Sequence, residues 1–409
     1  MLPTIKASSL ADPLGRYYTR EKVSEVLVSY LSVQNPETVL DLGSGDGSLT
    51  KAVAKKWSRA QYITVDIDKS TSLNHQPTLS NNFIHKHFLT DALEPALISD
   101  IGLSPESIDL AICNPPFIKP RWQKKHHDFL LGAGLPKEII GIKELSAEVI
   151  FIVQSLVSLR PGGQLGLIIP DGFISGERNT KFRQFILESN AIEKVVKLPT
   201  NAFVGTSVQA HIVIITKGGA SDTISLEEIR LSGEQAKEVV ISKNEGIESL
   251  DYSYHSEKKT QTQGCMTLSD LGCTVSRGKS NSRQCRESQQ RIFHTVDFKL
   301  GVKRMNLESF SLITESQKTK HVIAGKGDII IARVGRNLTK KICIVSTGNA
   351  PISDCIYRLE VPVKYRKSVH NFLVSKKGRA ALQSRTHGTG ARYLTVERLL
   401  GLPITNIKR

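Results

Sequence analysis

The sequence has no long apolar run: its richest stretch, Val149 to Leu159, is broken by Gln154 and Ser155, and nothing reaches the length of a membrane span. No hydrophobic core follows Met1-Leu2-Pro3-Thr4-Ile5-Lys6, so no leader is expected and the protein reads as cytoplasmic. The six cysteines include no Cys-x-x-Cys pair and no clustered histidine. Reduced, mostly buried thiols are therefore expected, with neither a disulfide framework nor a metal site. A Pro-Asp…Glu-x-Lys nuclease constellation is also missing, because Pro170-Asp171 is followed by no Glu-x-Lys. Any strand-cleaving activity would belong to a separate protein.

Acidic residues are scarce in the last third. From residue 258 to the end there are 29 Lys and Arg against 9 Asp and Glu, which leaves 26 against 30 for residues 1–257. A weakly acidic body thus precedes a strongly basic module. Unscreened, that much like charge is repulsive, so a polyanionic partner is implied. Nucleic acid fits better than a membrane surface, since no basic amphipathic helix is evident. At 409 residues the chain is too long for one ordinary core, and two or three domains are expected.

Among what is present, Asn114-Pro115-Pro116-Phe117 stands out. It follows the apolar run Ile108 to Cys113, which reads as a buried strand. Two prolines fix two φ angles and remove two backbone donors, leaving a stiff loop rich in acceptors. An amide oxygen and a carbonyl beside an aromatic face suit the gripping of an exocyclic amino group. A strand-ending turn with a core Phe is the plainer alternative.

Upstream, Thr38 to Thr50 reads as strand, glycine turn and helix start, with glycines at 43, 45 and 47. The spacing is shorter than the dinucleotide fingerprint. Asp41 and Asp46 would repel a pyrophosphate and attract a cationic amino-acid moiety. A second strand, Tyr62 to Asp68, ends in acids about twenty residues further on, where nucleotide-binding α/β folds hold a ribose diol. Thr19 precedes apolar residues at helical spacing from Glu21 to Val33 and reads as a helix cap.

This set of motifs, over residues 10–217, resembles the gamma class of N6-adenine DNA methyltransferases, which includes type I modification subunits. The resemblance implies an S-adenosyl-L-methionine cofactor and a Rossmann-like α/β sheet with helices on both faces. It places Tyr18 and Thr19 in the first cofactor motif, although Arg20 stands where proline is usual. It gives Asp41, Gly43, Ser44, Gly45 and Gly47 to the methionine part. Asp66, or alternatively Asp68, would hold the ribose, and Asp91 the cofactor's adenine amino group. Asp91 reads equally well as a cap for Ala92-Leu93-Glu94. Asn114 would contact both cofactor and substrate, with Pro115 and Pro116 shaping the loop. Phe117 and Phe203 would sandwich an adenine extruded from double-stranded DNA, a core position being the alternative for Phe203. Pro120 to His127 reads as an exposed basic flap or an ordinary surface loop.

Residues 218–264 are polar and read as an appended element and linker. From 265 to 409 the turns around Arg277-Gly278-Lys279, Gly325-Lys326-Gly327 and Gly388-Thr389-Gly390 resemble one half of a type I specificity subunit, an α+β target-recognition domain. The organisation expected is thus a catalytic domain over 1–217, an appended element and linker over 218–264 and a recognition domain over 265–409. RNA and protein-glutamine amino-methyltransferases share the four-residue loop but lack such a module. A DNA reader with degenerate catalysis is the further alternative, and a separate restriction or defence subunit would be a natural partner.

Overall fold

The computed structural model describes residues 21–70, 84–141, 145–200, 202–203, 208–230, 233–261, 265–288, 290–310, 321–335, 337–386 and 392–408. They fall into two compact units, Met1–Tyr252 and Ser253–Arg409.

The first unit is built on a nine-stranded sheet in the order β3-β2-β1-β4-β5-β7-β6-β8-β9. Its strands are β1 (Thr38–Leu42), β2 (Gln61–Asp66), β3 (Ile84–Leu89), β4 (Ile108–Cys113), β5 (Leu159–Pro170), β6 (Asn190–Lys197), β7 (Ala210–Lys217), β8 (Thr223–Glu228) and β9 (Val239–Ser242). The five strands β3 to β5 in that order run parallel, whereas β7 is antiparallel to both β5 and β6. Parallel strands buried on both faces need near-continuous apolar sequence. β4 supplies it: Leu110 and Ile112 enter the cluster with Leu27 and Val53, while Ala111 and Cys113 enter the opposite one with Ile150 and Leu167. Helices Glu21–Tyr30 and Ser48–Lys56 cover one face, and Glu148–Ser158 the other. This is the doubly covered α/β sheet expected from the sequence.

Residues 218–264, read from the sequence as an appended element and linker, hold two strands and a helix. Most of them are built into the first unit as β8, β9 and the helix Lys243–Glu248, and the boundary between units falls after Tyr252. Arg183 explains why. This fully buried side chain directs Nε to the Ile247 carbonyl (2.9 Å) and Nη2 to that of Glu248 (2.8 Å). Its Nη1 donates to the carbonyls of Phe173 and Gly176, both at 2.9 Å. A buried guanidinium is tolerable only when its donors are satisfied, and two of the acceptors come from the segment after β9.

The second unit is α+β. Strands β11 (Thr274–Arg277), β16 (Ile356–Glu360), β14 (Ile329–Ala332), β15 (Ile342–Pro351) and β12 (Arg304–Leu307) form the main sheet, with β13 (Ile323–Gly325) paired to β15. β10 (Cys265–Thr267) and β17 (Pro403–Lys408) pair separately. Helices Val363–Val374 and Lys376–Gln383 pack on a core that includes Ile330, Val369 and Leu382. Among the described residues, no helix is long and apolar enough to cross a membrane.

Replacing Arg183 by Met would leave those carbonyls facing a side chain that cannot donate. A loss of about 3 kcal/mol in unfolding free energy is expected, read as a lower urea midpoint by circular dichroism. An unchanged midpoint would show that Arg183 does not hold the segment.

Candidate active site

The site follows from sheet order. β2 and β3 lie on one side of β1, and β4 and β5 on the other. The direction in which successive strands are added therefore reverses between β1 and β4. Loops leaving such a pair diverge and open a crevice at the carboxyl ends of the strands. Leu42 is paired with Cys113, so Gly43 and Asn114 leave neighbouring strands at one level, roughly 5 Å apart.

The glycine loop fills the β1 side. Gly43, Gly45 and Gly47 all have positive φ, at 71°, 54° and 75°, a conformation that costs other residues energy. The loop is pinned to β2, since Gly43 and Ser44 donate their N–H groups to the Val65 carbonyl at 2.8 and 3.0 Å. A Cβ on Gly43 would come within 3.0 Å of Phe151 Cε1, whereas one on Gly45 would meet nothing within 4 Å. The tip of the loop therefore borders open space where a ligand can lie against backbone.

The acids divide into distinct roles. Asp41 is fully buried, and its Oδ2 accepts the Thr50 hydroxyl at 2.6 Å. Its Oδ1 is buried without a hydrogen-bond partner among the described residues. Burial pushes the Asp41 carboxyl up to about 7, with the Asp66 and Asp46 charges adding in the same direction. A cation delivered beside it would relieve that cost. Asp66 braces the loop, accepting the Gly45 N–H at 2.8 Å through Oδ2 and the Asp68 N–H at 2.8 Å through Oδ1. Asp68 accepts the backbone and hydroxyl of Ser70 at 2.9 and 2.8 Å, and Asp46 caps the helix at Ser48. Asp91 Oδ1 takes the Leu93 N–H at 2.9 Å in a turn; residues 92–94 form no helix for it to cap, the next helix being Leu97–Asp100. Remaining lone pairs on these carboxylates are what a diol or an amino group would use.

On the β4 side, Pro115 is buried, and Asn114, Pro116 and Phe117 are partly buried. The Pro116 carbonyl accepts the Ile118 N–H at 2.9 Å, and the Ile118 carbonyl accepts that of Ala147 at 3.0 Å. The loop exit is thus tied to the start of the helix Glu148–Ser158. Phe203 is only 2% exposed and belongs to the cluster with Val196, Leu198 and Ile212, so here it packs as a core residue. Tyr18 and Thr19 lie outside the described residues. The segment read as a basic flap becomes the start of a helix, Lys124–Gly132. Trp122 anchors it by donating to the Leu145 carbonyl at 2.9 Å, and Lys125 pairs with Glu94 at 2.6 Å. Arg121 remains exposed.

Two contributors were not singled out in the sequence. Phe151 sets the clearance at Gly43, and Glu148 is a buried acid in the first turn of the same helix. The apolar periodicity of that helix marks its core face, but not which residues meet the glycine loop.

A doubly wound sheet with a glycine loop and an Asn-Pro-Pro-Phe loop at its switch point defines the α/β methyltransferase class. Within that class, the profile of the N-6 DNA Methylase family matches residues 4–270, and the chain belongs to that family. It is 24% identical over 307 residues to the type II methyltransferase M.HincII of Haemophilus influenzae, covering 73% of this chain and 55% of that protein. It is 25% identical over 234 residues to M.PstI of Providencia stuartii, covering 51% of this chain and 44% of the relative. The chain therefore spans about half the length of these curated relatives. Among solved structures, the type IIG restriction endonuclease BpuSI is similar in fold over 97% of this chain and 59% of its own, with a TM-score of 0.52 at 12% identity.

The raised Asp41 carboxyl has a direct consequence for stability. The folded state holds this proton at pH values where the unfolded chain has released it. Its contribution is therefore largest below the ordinary carboxylate range and is lost as pH rises through about 7. Asp41→Asn should raise the unfolding free energy at pH 8 by about 2 kcal/mol and leave it nearly unchanged at pH 4. Urea titrations at the two values check this, and equal effects at both would refute the assignment.

Proposed function

We propose that the chain is a site-specific DNA adenine N6-methyltransferase using S-adenosyl-L-methionine. The observation that carries the reading is the paired emergence of Gly43 and Asn114 from β1 and β4. That register sets a cation-seeking cradle beside an amino-gripping loop. The cradle fits the cofactor because the Asp41 carboxyl is buried with one oxygen that has no partner among the described residues, and the space at Gly45 is open. The bound cofactor supplies an already activated methyl group on a sulfonium.

The rest falls to side chains of the protein. Asp41 would balance the positive charge of the methionine part, while Asp66, Asp68 and Asp91 would orient the nucleoside. The exocyclic nitrogen of adenine is a weak nucleophile, because its lone pair is conjugated into the ring. Asn114 Oδ1 and the Pro115 carbonyl would each accept one amino hydrogen and draw the nitrogen toward tetrahedral geometry. Fixed acceptors of this kind contribute through positioning and preorganised dipoles rather than strong base chemistry. Phe117 would stack on the extruded base, and extrusion costs a few kcal/mol. Phe203 would join it only after leaving its core position.

The basic second unit would supply target recognition. Several arginines of this unit are already engaged internally: Arg277 at the end of β11 and Arg333 just after β14 both donate to the Asp354 carbonyl, at 3.0 and 2.9 Å, and Arg358 on β16 to that of Ile323 at 2.7 Å. Phosphate anchoring would then rest more on exposed residues such as Lys299, Lys303 and Arg304. A separate subunit for restriction or defence is compatible with a chain that spans half of its relatives.

Asn114→Ala should reduce methyl transfer to unmethylated bacterial DNA by about three orders of magnitude. Binding of S-adenosylhomocysteine by calorimetry should stay within a few fold. Near-normal turnover in this variant would sink the mechanism.

A further inference from the structure

Glu148 opens the helix Glu148–Ser158 and is 7% exposed. Acids in a first helical turn ordinarily face water, where solvent and the helix dipole both favour the charge. Here Oε2 is buried with no hydrogen-bond partner among the described residues. Burial pushes the carboxyl above its usual range, and the Ser146 hydroxyl offsets this only in part. Among the described residues no cation accompanies it. A buried carboxyl oxygen left without a partner is costly, and its position points to a use.

Residues three apart share a helix face. Three residues after Glu148, Phe151 closes on Gly43, whose Cβ would lie 3.0 Å from the ring. Glu148 is thus one turn N-terminal on the face that meets the glycine loop. The preceding residue, Ala147, donates to the Ile118 carbonyl at 3.0 Å, immediately beyond Phe117. Glu148 thus starts the helix that packs on the glycine loop through Phe151 and is tied to the exit of the Asn114–Phe117 loop through Ala147.

We infer that Glu148 is a purine-binding residue, its carboxyl hydrogen-bonding the edge of a purine held between the glycine loop and the Asn114–Phe117 loop. Burial disfavours the charged form that purine lone pairs would repel, and a carboxyl that takes up a proton offers one donor beside one acceptor. That is the pattern an adenine edge complements. The inference rests on the methyltransferase reading, which supplies two purines of this chemistry: that of the cofactor and the extruded base.

Two measurements on the full chain separate these sources. One is calorimetric titration with S-adenosylhomocysteine, and the other is turnover on unmethylated bacterial DNA at saturating labelled cofactor. Glu148→Leu should weaken the first by about tenfold if the cofactor purine is held, or lower the second by about tenfold with the first intact if the target base is held. Glu148→Gln retains an N–H donor and should stay within about threefold of the wild type in the affected measurement. The Leu variant, which removes an unsatisfied buried group, should keep or raise the urea midpoint. A Leu variant equal to wild type in both measurements overturns the inference, as does a Gln variant as impaired as Leu. A much lower midpoint for Leu would mark a structural carboxyl and overturn it too. A wild-type chain that binds no S-adenosylhomocysteine overturns the functional reading instead.

Discussion

β1 and β4 pair in parallel with Leu42 opposite Cys113, and the arrangement of the first unit follows from that contact. A shift by one residue would turn every side chain of β4 to the other face. Leu110 and Ile112 would then exchange clusters with Ala111 and Cys113, so burial on both faces locks the register. Because it is locked, two loops of different chemistry leave the sheet together. One is glycine-rich and lined by carboxylates; the other is stiffened by proline and offers acceptors. Neither makes a site alone.

The same crevice concentrates electrostatic cost. Asp41 and Glu148 each hold a buried oxygen without a hydrogen-bond partner among the described residues, and burial raises both carboxyls. Elsewhere in the unit, buried charge is handled differently. Arg183 spends its donors on backbone carbonyls. His211, on β7, stays neutral because burial depresses it to about 3. Groups that serve only the fold are satisfied or uncharged, and the two unsatisfied acids flank the glycine loop. Proteins tolerate such groups where a ligand completes them.

Much of this was legible in the sequence because the informative residues are local. Gly43, Gly45 and Gly47 announce a loop of positive φ, and Pro115-Pro116 announce a stiff one, whatever surrounds them. The strands Ile192 to Leu198 and Gln209 to Thr216 were readable from apolar content and appear as β6 and β7 with small shifts at their ends. The segment after 217 shows in the sequence as an appended element but not as strands, because β8 and β9 are only six and four residues long. Its signal was alternation: Ile224 and Leu226, then Val239 and Ile241, are buried while their neighbours are not. Glu148 could not be found this way, because only tertiary packing separates a buried first-turn acid from a solvated one. Phe203 could not be settled locally either, since an aromatic in a polar loop can cover the core or the crevice.

The second unit shows how far charge alone carries a reading. Its excess of Lys and Arg implies a polyanion, yet an arginine counted in sequence is not thereby available to a ligand. Arg277 and Arg333 converge on one carbonyl, that of Asp354, and hold the turn after β15 against β11 and β14. Removing either would disturb the turn before it touched any phosphate contact. Lys299, Lys303 and Arg304 are exposed instead, in the stretch leading into β12 that also exposes Val296 and Leu300, at 81% and 64%. Long basic side chains beside uncovered apolar ones suit a surface that meets both the phosphates and the groove of a duplex. In this unit, then, Arg277 and Arg333 shape the scaffold, and the exposed Lys299 and Lys303 lie in the stretch leading into β12.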